Sequence, residues 1–278
     1  MDPSLRVEGV SYLVCATQRS GSTLLCELLR ATGVAGVPDE YFERLYRTGL
    51  PRQPREYFED VSVKDIADRL QPTRPGRPEQ PGEFEQWFRY VLQRATTPNG
   101  VFGAKMMWNY LEDFKQRMAE LPGLEDLTYN EMLDAVFPRL RIVFIRRRDK
   151  VAQAVSLWKA VQTQEWHTES ELGSEDIDAD YGANVEYDYR AIEHLLNELH
   201  LWDARWEDWF HSTGRDPIRV FYDEFIQSRA ATIGRVLDTL GIAPPEPPGN
   251  KTMKRQFDDL SKDWVSRFRY ERERRQNL

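Results

Sequence analysis

Cysteine and histidine are scarce. The 278-residue chain carries two Cys and four His. Two thiols, Cys15 and Cys26, exclude a disulfide framework and read as buried free thiols of a reducing compartment. No apolar run is long enough to span a bilayer, and the N-terminal stretch MDPSLRVEGVS lacks the apolar core of a signal peptide. Positive charge is also in deficit: 38 Lys and Arg against 46 Asp and Glu leave a net charge of -8, which excludes a sequence-independent grip on nucleic acid. The expectation is a soluble, cytoplasmic protein with neither a nucleic-acid nor a membrane partner. What the chain does contain is 40% hydrophobic and 30% charged residues, enough for a sizeable core in a single domain over residues 1–278. No internal repeat is visible.

Short β-rich runs occur at Tyr12–Ala16, Val101–Ala104, Leu140–Ile145 and Ile218–Phe221, each leading into a helical pattern or a loop before one. Apolar runs alternating with helices predict an α/β fold with a parallel, doubly wound sheet. The longest helical pattern places Ile192, Leu195, Leu196, Leu199, Trp202, Trp206 and Trp209 on one apolar face, the signature of core packing. The proline-rich stretch Gln71–Glu83 reads as an extended surface loop. The acidic stretch His167–Asp188 reads as a solvated excursion, with a mobile lid over a substrate as the sharper alternative.

After the first strand the sequence runs Gln18-Arg19-Ser20-Gly21-Ser22-Thr23 directly into a helix. Strand, small-residue loop and helix together offer free backbone N–H groups and a positive dipole end to an anion. A nucleoside triphosphatase would write G-x-x-x-x-G-K-[ST] here, but the first glycine and the lysine are missing, and the basic residue, Arg19, precedes the glycine. From the loop alone, an ordinary capped helix stands beside anion binding. The third strand also ends in arginines, Arg146 to Arg148, and Ser156 lies two helical turns below Arg148 on much the same face. An arginine and a serine so spaced suit a second phosphate.

QRSGST after the first strand, RRRDKVAQAVSLW after the third and YDEF after the fourth resemble the sulfotransferases that use 3′-phosphoadenosine 5′-phosphosulfate (PAPS). More narrowly, ATQRSGSTLL, PDEYF, TPNGVFGAKMMWN, QAVSLWKAVQTQEW and KRQFDDLSKDWVSRFR, in this order, resemble the bacterial trehalose 2-sulfotransferase family over nearly the whole chain. The sequence departs from that pattern at Val37-Pro38-Asp39-Glu40-Tyr41-Phe42, where Glu-Pro-Gln-Glu-Phe-Phe is expected, and the acidic stretch has no counterpart.

The resemblance implies a P-loop-like parallel sheet flanked by helices, PAPS as the donor, no metal, a sugar or glycoside acceptor and a homodimer. It assigns Gln18, Arg19, Ser20, Gly21, Ser22 and Thr23 to the 5′-phosphosulfate. Arg147 or Arg148, with Ser156, falls to the 3′-phosphate, and Lys254, Arg255 and Gln256 to a C-terminal loop closing over it. Glu40 matches the family's general base, with neighbouring Asp39 as the rival. Arg19 and Lys105 are the candidates for offsetting charge as the sulfuryl group moves. Trp158, Gln162 and Trp166 join Asp39 and Glu40 on the acceptor side, although packing accounts for the tryptophans equally well. The alternatives are the same donor with a glycosylated or polyketide-like acceptor, a P-loop kinase, and a non-catalytic nucleotide-binding module.

Overall fold

A computed structural model describes residues 2–71, 83–166, 185–243 and 259–277. In chain order the strands are β1 (Ser11–Ala16), β2 (Phe102–Met107), β3 (Leu140–Arg146) and β4 (Ile218–Phe221). The helices are α1 (Ser22–Ala31), α2 (Lys64–Ala67), α3 (Glu83–Arg94), α4 (Leu111–Met118), α5 (Tyr129–Val136), α6 (Lys150–Thr163), α7 (Tyr189–Ser212), α8 (Tyr222–Phe225), α9 (Arg229–Leu240) and α10 (Asp259–Gln276). All paired strands run parallel, in the order β2-β1-β3-β4, as the alternation of apolar runs and helices predicts. The second strand extends to Met107, beyond the apolar run read from the sequence, so Lys105 lies inside β2, opposite Val14 of β1, rather than at its end.

The chain divides into two compact units. The first comprises Met1–Pro51, Gly76–Arg148 and Trp202–Lys251, and it contains the whole sheet. β1 and β2 are buried along their full length, as expected of strands in a parallel sheet covered on both faces. The outer edge of β2 is occupied by chain rather than left open. Gly103 N–H donates to the Ala95 carbonyl at 3.2 Å and Lys105 N–H to the Asp39 carbonyl at 2.9 Å, while Val37 N–H donates to Ala95 at 2.9 Å. This cover satisfies edge donors that would otherwise invite pairing with another strand. It also brings residues 36–40 alongside β2. Gly36 makes the approach possible: its φ is 69°, and a Cβ there would lie 2.6 Å from the Gly103 nitrogen.

The second unit comprises Arg52–Pro75, Asp149–Leu201 and Thr252–Leu278, and its described secondary structure is helical. Within it Tyr189 stacks on Phe268 with ring centroids 4.9 Å apart. Phe58 meets Trp158 edge-on at 5.6 Å, and Arg190 pairs with Asp65 at 2.9 Å.

Gly36→Ala should destabilise the protein by about 1–3 kcal/mol, because the side chain meets both a left-handed backbone and the β2 edge. Urea unfolding followed by far-UV dichroism measures it, and a midpoint equal to wild type would show that the edge yields without cost.

Candidate active site

The loop between β1 and α1 is held from below. Trp206 Nε1 donates to the Ala16 carbonyl at 2.9 Å, and Asp203 accepts from Thr17 at 3.3 Å and from Arg146 at 3.1 Å. Arg19 has φ 60° and Gly21 φ 90°, so two left-handed residues flank Ser20. A Cβ on Gly21 would sit 2.3 Å from the Tyr222 ring, which leaves glycine the residue that fits. α1 starts at Ser22 with Gly21 as its N-cap and no side-chain cap, so the first-turn N–H groups are not satisfied in the way of an ordinary capped helix. The Ser20 side chain is fully buried, and its hydroxyl has no hydrogen-bond partner. Gln18 Nε2 donates to Asn109 Oδ1 at 2.6 Å, fixing the front of the loop. An unsatisfied buried hydroxyl beside an uncapped helix start suits an anionic ligand.

The charges agree. Burial, and after it the charge of Arg147, lowers Arg19 to about 10, against an ordinary arginine value of 12.5. The Arg147 guanidinium lies 5.2 Å from the centroid of the Tyr222 ring. Like charges repel, and a bound anion would relieve the repulsion that Arg19 feels from Arg147. Arg148 is turned elsewhere: its guanidinium pairs with Glu224 at 2.5 Å and covers the Phe221 ring at 4.0 Å, while its N–H donates to Asp223 at 3.0 Å. Of the two, Arg147 is the arginine whose charge acts on Arg19.

Lys105 is 2% exposed and continues the site. Its Nζ lies 2.6 Å from Glu40 Oε2 and donates to Thr23 Oγ1, in the first turn of α1, at 3.2 Å. Burial alone would lower the ammonium's pKa, but Glu40 and the surrounding negative groups outweigh it and hold the pKa above the ordinary lysine value. The other carboxylate oxygen of Glu40 accepts from the Tyr110 hydroxyl. Asp39, the rival base, is committed differently. Its Oδ2 pairs with Arg30 at 2.8 Å, and its Oδ1 accepts the Glu40 N–H at 2.8 Å. Glu40 is thus the carboxylate that faces the lysine.

The remaining expected residues are described within their own unit. Ser156, Trp158, Gln162 and Trp166 belong to the helical unit. Trp158 Nε1 donates to the Glu186 carbonyl at 2.8 Å, and Gln162 accepts the Glu186 N–H at 2.8 Å and donates to its carbonyl at 3.1 Å. Trp166 stacks on Tyr57 with centroids 5.9 Å apart. Lys254, Arg255 and Gln256 lie outside the described residues, as do residues 72–82 of the proline-rich stretch and 167–184 of the acidic one. Sequence reasoning missed Tyr110, Asn109, Tyr222 and Arg30 as members of the site. Their one local signal is that polar atoms flank otherwise apolar stretches. Among the described residues no group of three or more His, Cys, Asp or Glu is placed to hold a metal, and no helix is long and apolar enough to cross a membrane.

Comparison with known proteins identifies the family. The family model for Stf0 sulphotransferase matches residues 11–271. The trehalose 2-sulfotransferase of Mycobacterium tuberculosis is 40% identical over 263 residues, covering 94% of each chain. That of Mycolicibacterium smegmatis is 39% identical over 266 residues, covering 95% of this chain and 96% of the relative. A sulfotransferase from Alicyclobacillus acidocaldarius of known structure aligns with a TM-score of 0.46 at 13% identity, over 94% of this chain and 92% of that one, too distant to inform the site.

Inorganic sulfate should raise the melting temperature of the wild type more than that of Arg19→Ala at equal ionic strength, by about 2–4 °C for each kcal/mol of binding. Differential scanning fluorimetry with a chloride control reads the difference, and equal shifts in the two proteins would remove Arg19 from the anion site.

Proposed function

The chain belongs to the Stf0 sulphotransferase family, and we propose that this sulfotransferase moves a sulfuryl group from PAPS to a hydroxyl of trehalose or a closely related glycoside. One observation carries the reading: the line of contacts from the Ser22–Thr23 helix start through Lys105 to Glu40, which joins an anion site to a carboxylate within one unit. The donor class fits the residues present, since the buried Ser20 hydroxyl, the uncapped start of α1 and the Arg19–Arg147 pair all suit a phosphosulfate. PAPS supplies an activated sulfuryl group joined to a phosphate leaving group.

The chain's own residues then divide the work. Gln18 to Thr23 hold the phosphosulfate end through backbone N–H groups and hydroxyls. Arg147 and Arg148 are the candidates for the 3′-phosphate. Arg19 and Lys105 offset negative charge on the leaving oxygen, and Arg19, permanently charged, works as an electrostatic clamp rather than a proton donor. Glu40 accepts the proton of the attacking hydroxyl. Lys105 lies between the two sites and serves both, because an ammonium carries three donors, of which Glu40 and Thr23 take two. The relatives from Mycobacterium tuberculosis and Mycolicibacterium smegmatis, both trehalose 2-sulfotransferases, support trehalose as the first acceptor to try.

Radiolabelled PAPS incubated with a panel of sugars and glycosides in EDTA tests the reaction. Label should pass to trehalose, and transfer confined to non-carbohydrate acceptors would overturn the acceptor. Glu40→Gln should lower turnover by about 10² to 10⁴-fold while leaving affinity for adenosine 3′,5′-bisphosphate near wild type. Asp39→Asn should keep most of the activity, because Asp39 is tied to Arg30. The opposite pattern would move the base to Asp39.

A further inference from the structure

Both oxygens of Glu40 are engaged, and both partners come from one continuous stretch of chain. Lys105 is inside β2, and Tyr110 lies in the turn Trp108–Tyr110 that follows the strand directly. Tyr110 is 3% exposed, its ring belongs to the hydrophobic core, and its hydroxyl donates to Glu40 Oε1. A rigid strand and its terminal turn therefore grip the carboxylate at two points. We propose that Tyr110 is a positioning residue for the transfer, holding the Glu40 carboxylate in the orientation from which it takes the acceptor's proton. The proposal rests on the reading of Glu40 as the base.

The chemistry favours this division. A glutamate side chain has several rotatable bonds, and one ion pair at Oε2 leaves Oε1 free to swing. A second, charge-assisted bond at Oε1 removes that freedom. Each carboxylate oxygen has two lone pairs, so Oε1 can accept from Tyr110 and from a substrate hydroxyl together. Among the described residues, the charged or titratable groups that feel Glu40 include Lys105 of β2, Cys26 of α1 and Glu43 of its own segment, with Asp39 adjacent in the chain; Arg30 pairs with Asp39, and Arg44 acts on Glu43. Burial pushes the Cys26 thiol up to about 12, so it stays protonated. Glu43 reaches solvent, yet the protein atoms crowding its carboxyl, and after them the charge of Glu40, push it up to about 7. Every profile is therefore also recorded in a Glu43→Gln background, which removes that group from the same pH range.

Tyr110→Phe keeps the ring and deletes the bond. Its kcat should fall by about 10 to 10²-fold, with the KM for acceptor and the affinity for adenosine 3′,5′-bisphosphate unchanged. The acidic limb of its kcat profile should move up by about one pH unit, the direction expected when the charged form of the base loses a donor. In a Glu40→Gln background the same change should have no further effect, because the two residues act as one unit. Incorporation of 3-fluorotyrosine at position 110 makes the phenol a stronger donor at the same shape and should move the limb the other way, and this variant carries the test if Tyr110→Phe does not fold. A wild-type limb in both variants, or an equal fall in kcat with and without the Glu40 carboxylate, would overturn the proposal. Full turnover in Glu40→Gln would instead overturn the base assignment itself.

Discussion

The structure around the site depends on one contact, the ion pair between buried Lys105 and Glu40. An ammonium that is 2% exposed carries a large desolvation cost, which a carboxylate 2.6 Å away and the Thr23 hydroxyl offset. Each partner imposes a condition on the fold. β2 must register against β1 so that Lys105 lies opposite Val14, and α1 must start where Thr23 reaches it. Residues 36–40 must run along the β2 edge, which the Lys105 N–H enforces through the Asp39 carbonyl. The backbone of Lys105 thus fixes the segment whose side chain neutralises its own charge.

At the loop before α1 the electrostatics run the opposite way. Burial, and after it the charge of Arg147, lowers Arg19 to about 10, and the Arg147 guanidinium lies over the Tyr222 ring. Lys105 has a carboxylate against it, whereas Arg19 feels a like charge. On the proposed reading the two halves have different tasks: the arginine half takes up the donor's anionic end, and the lysine half holds the base still. Thr23, bonded to Lys105 from the first turn of α1, is where they meet.

Much of the frame was legible in the sequence. The strands announced themselves as apolar runs, and the loop from Gln18 to Thr23 as a break in pattern between strand and helix, because both depend on neighbours along the chain. Glu40 and Lys105 were reached through resemblance, and the contact between them depends on an edge pairing that no local pattern encodes. Tyr110 was invisible for a related reason: a buried aromatic after a strand reads as core, and its ring is core. What distinguishes it is a hydroxyl meeting a carboxylate distant in sequence. The different surroundings of Arg147 and Arg148 were equally closed to the sequence, since adjacent arginines differ only in where the backbone aims them, and Arg148 meets Glu224 and Phe221 while Arg147 lies over Tyr222. Trp158 and Gln162 show the same limit. Their polar atoms bond the backbone at Glu186, a contact that no local pattern encodes.

The cover on the β2 edge ties two selective pressures together. In many sheets the guard against strand-to-strand aggregation and the catalytic apparatus sit on different stretches of chain and drift independently through evolution. With Glu40 as the proposed base, residues 36–40 here are both: the backbone closes the edge and the Glu40 carboxylate meets Lys105 from the same few residues. A one-residue insertion or deletion there would uncover an unpaired strand while removing the carboxylate from Lys105. Solubility and turnover would be lost in the same event, so purifying selection should police the length of this connection as strictly as the identity of the residues it carries.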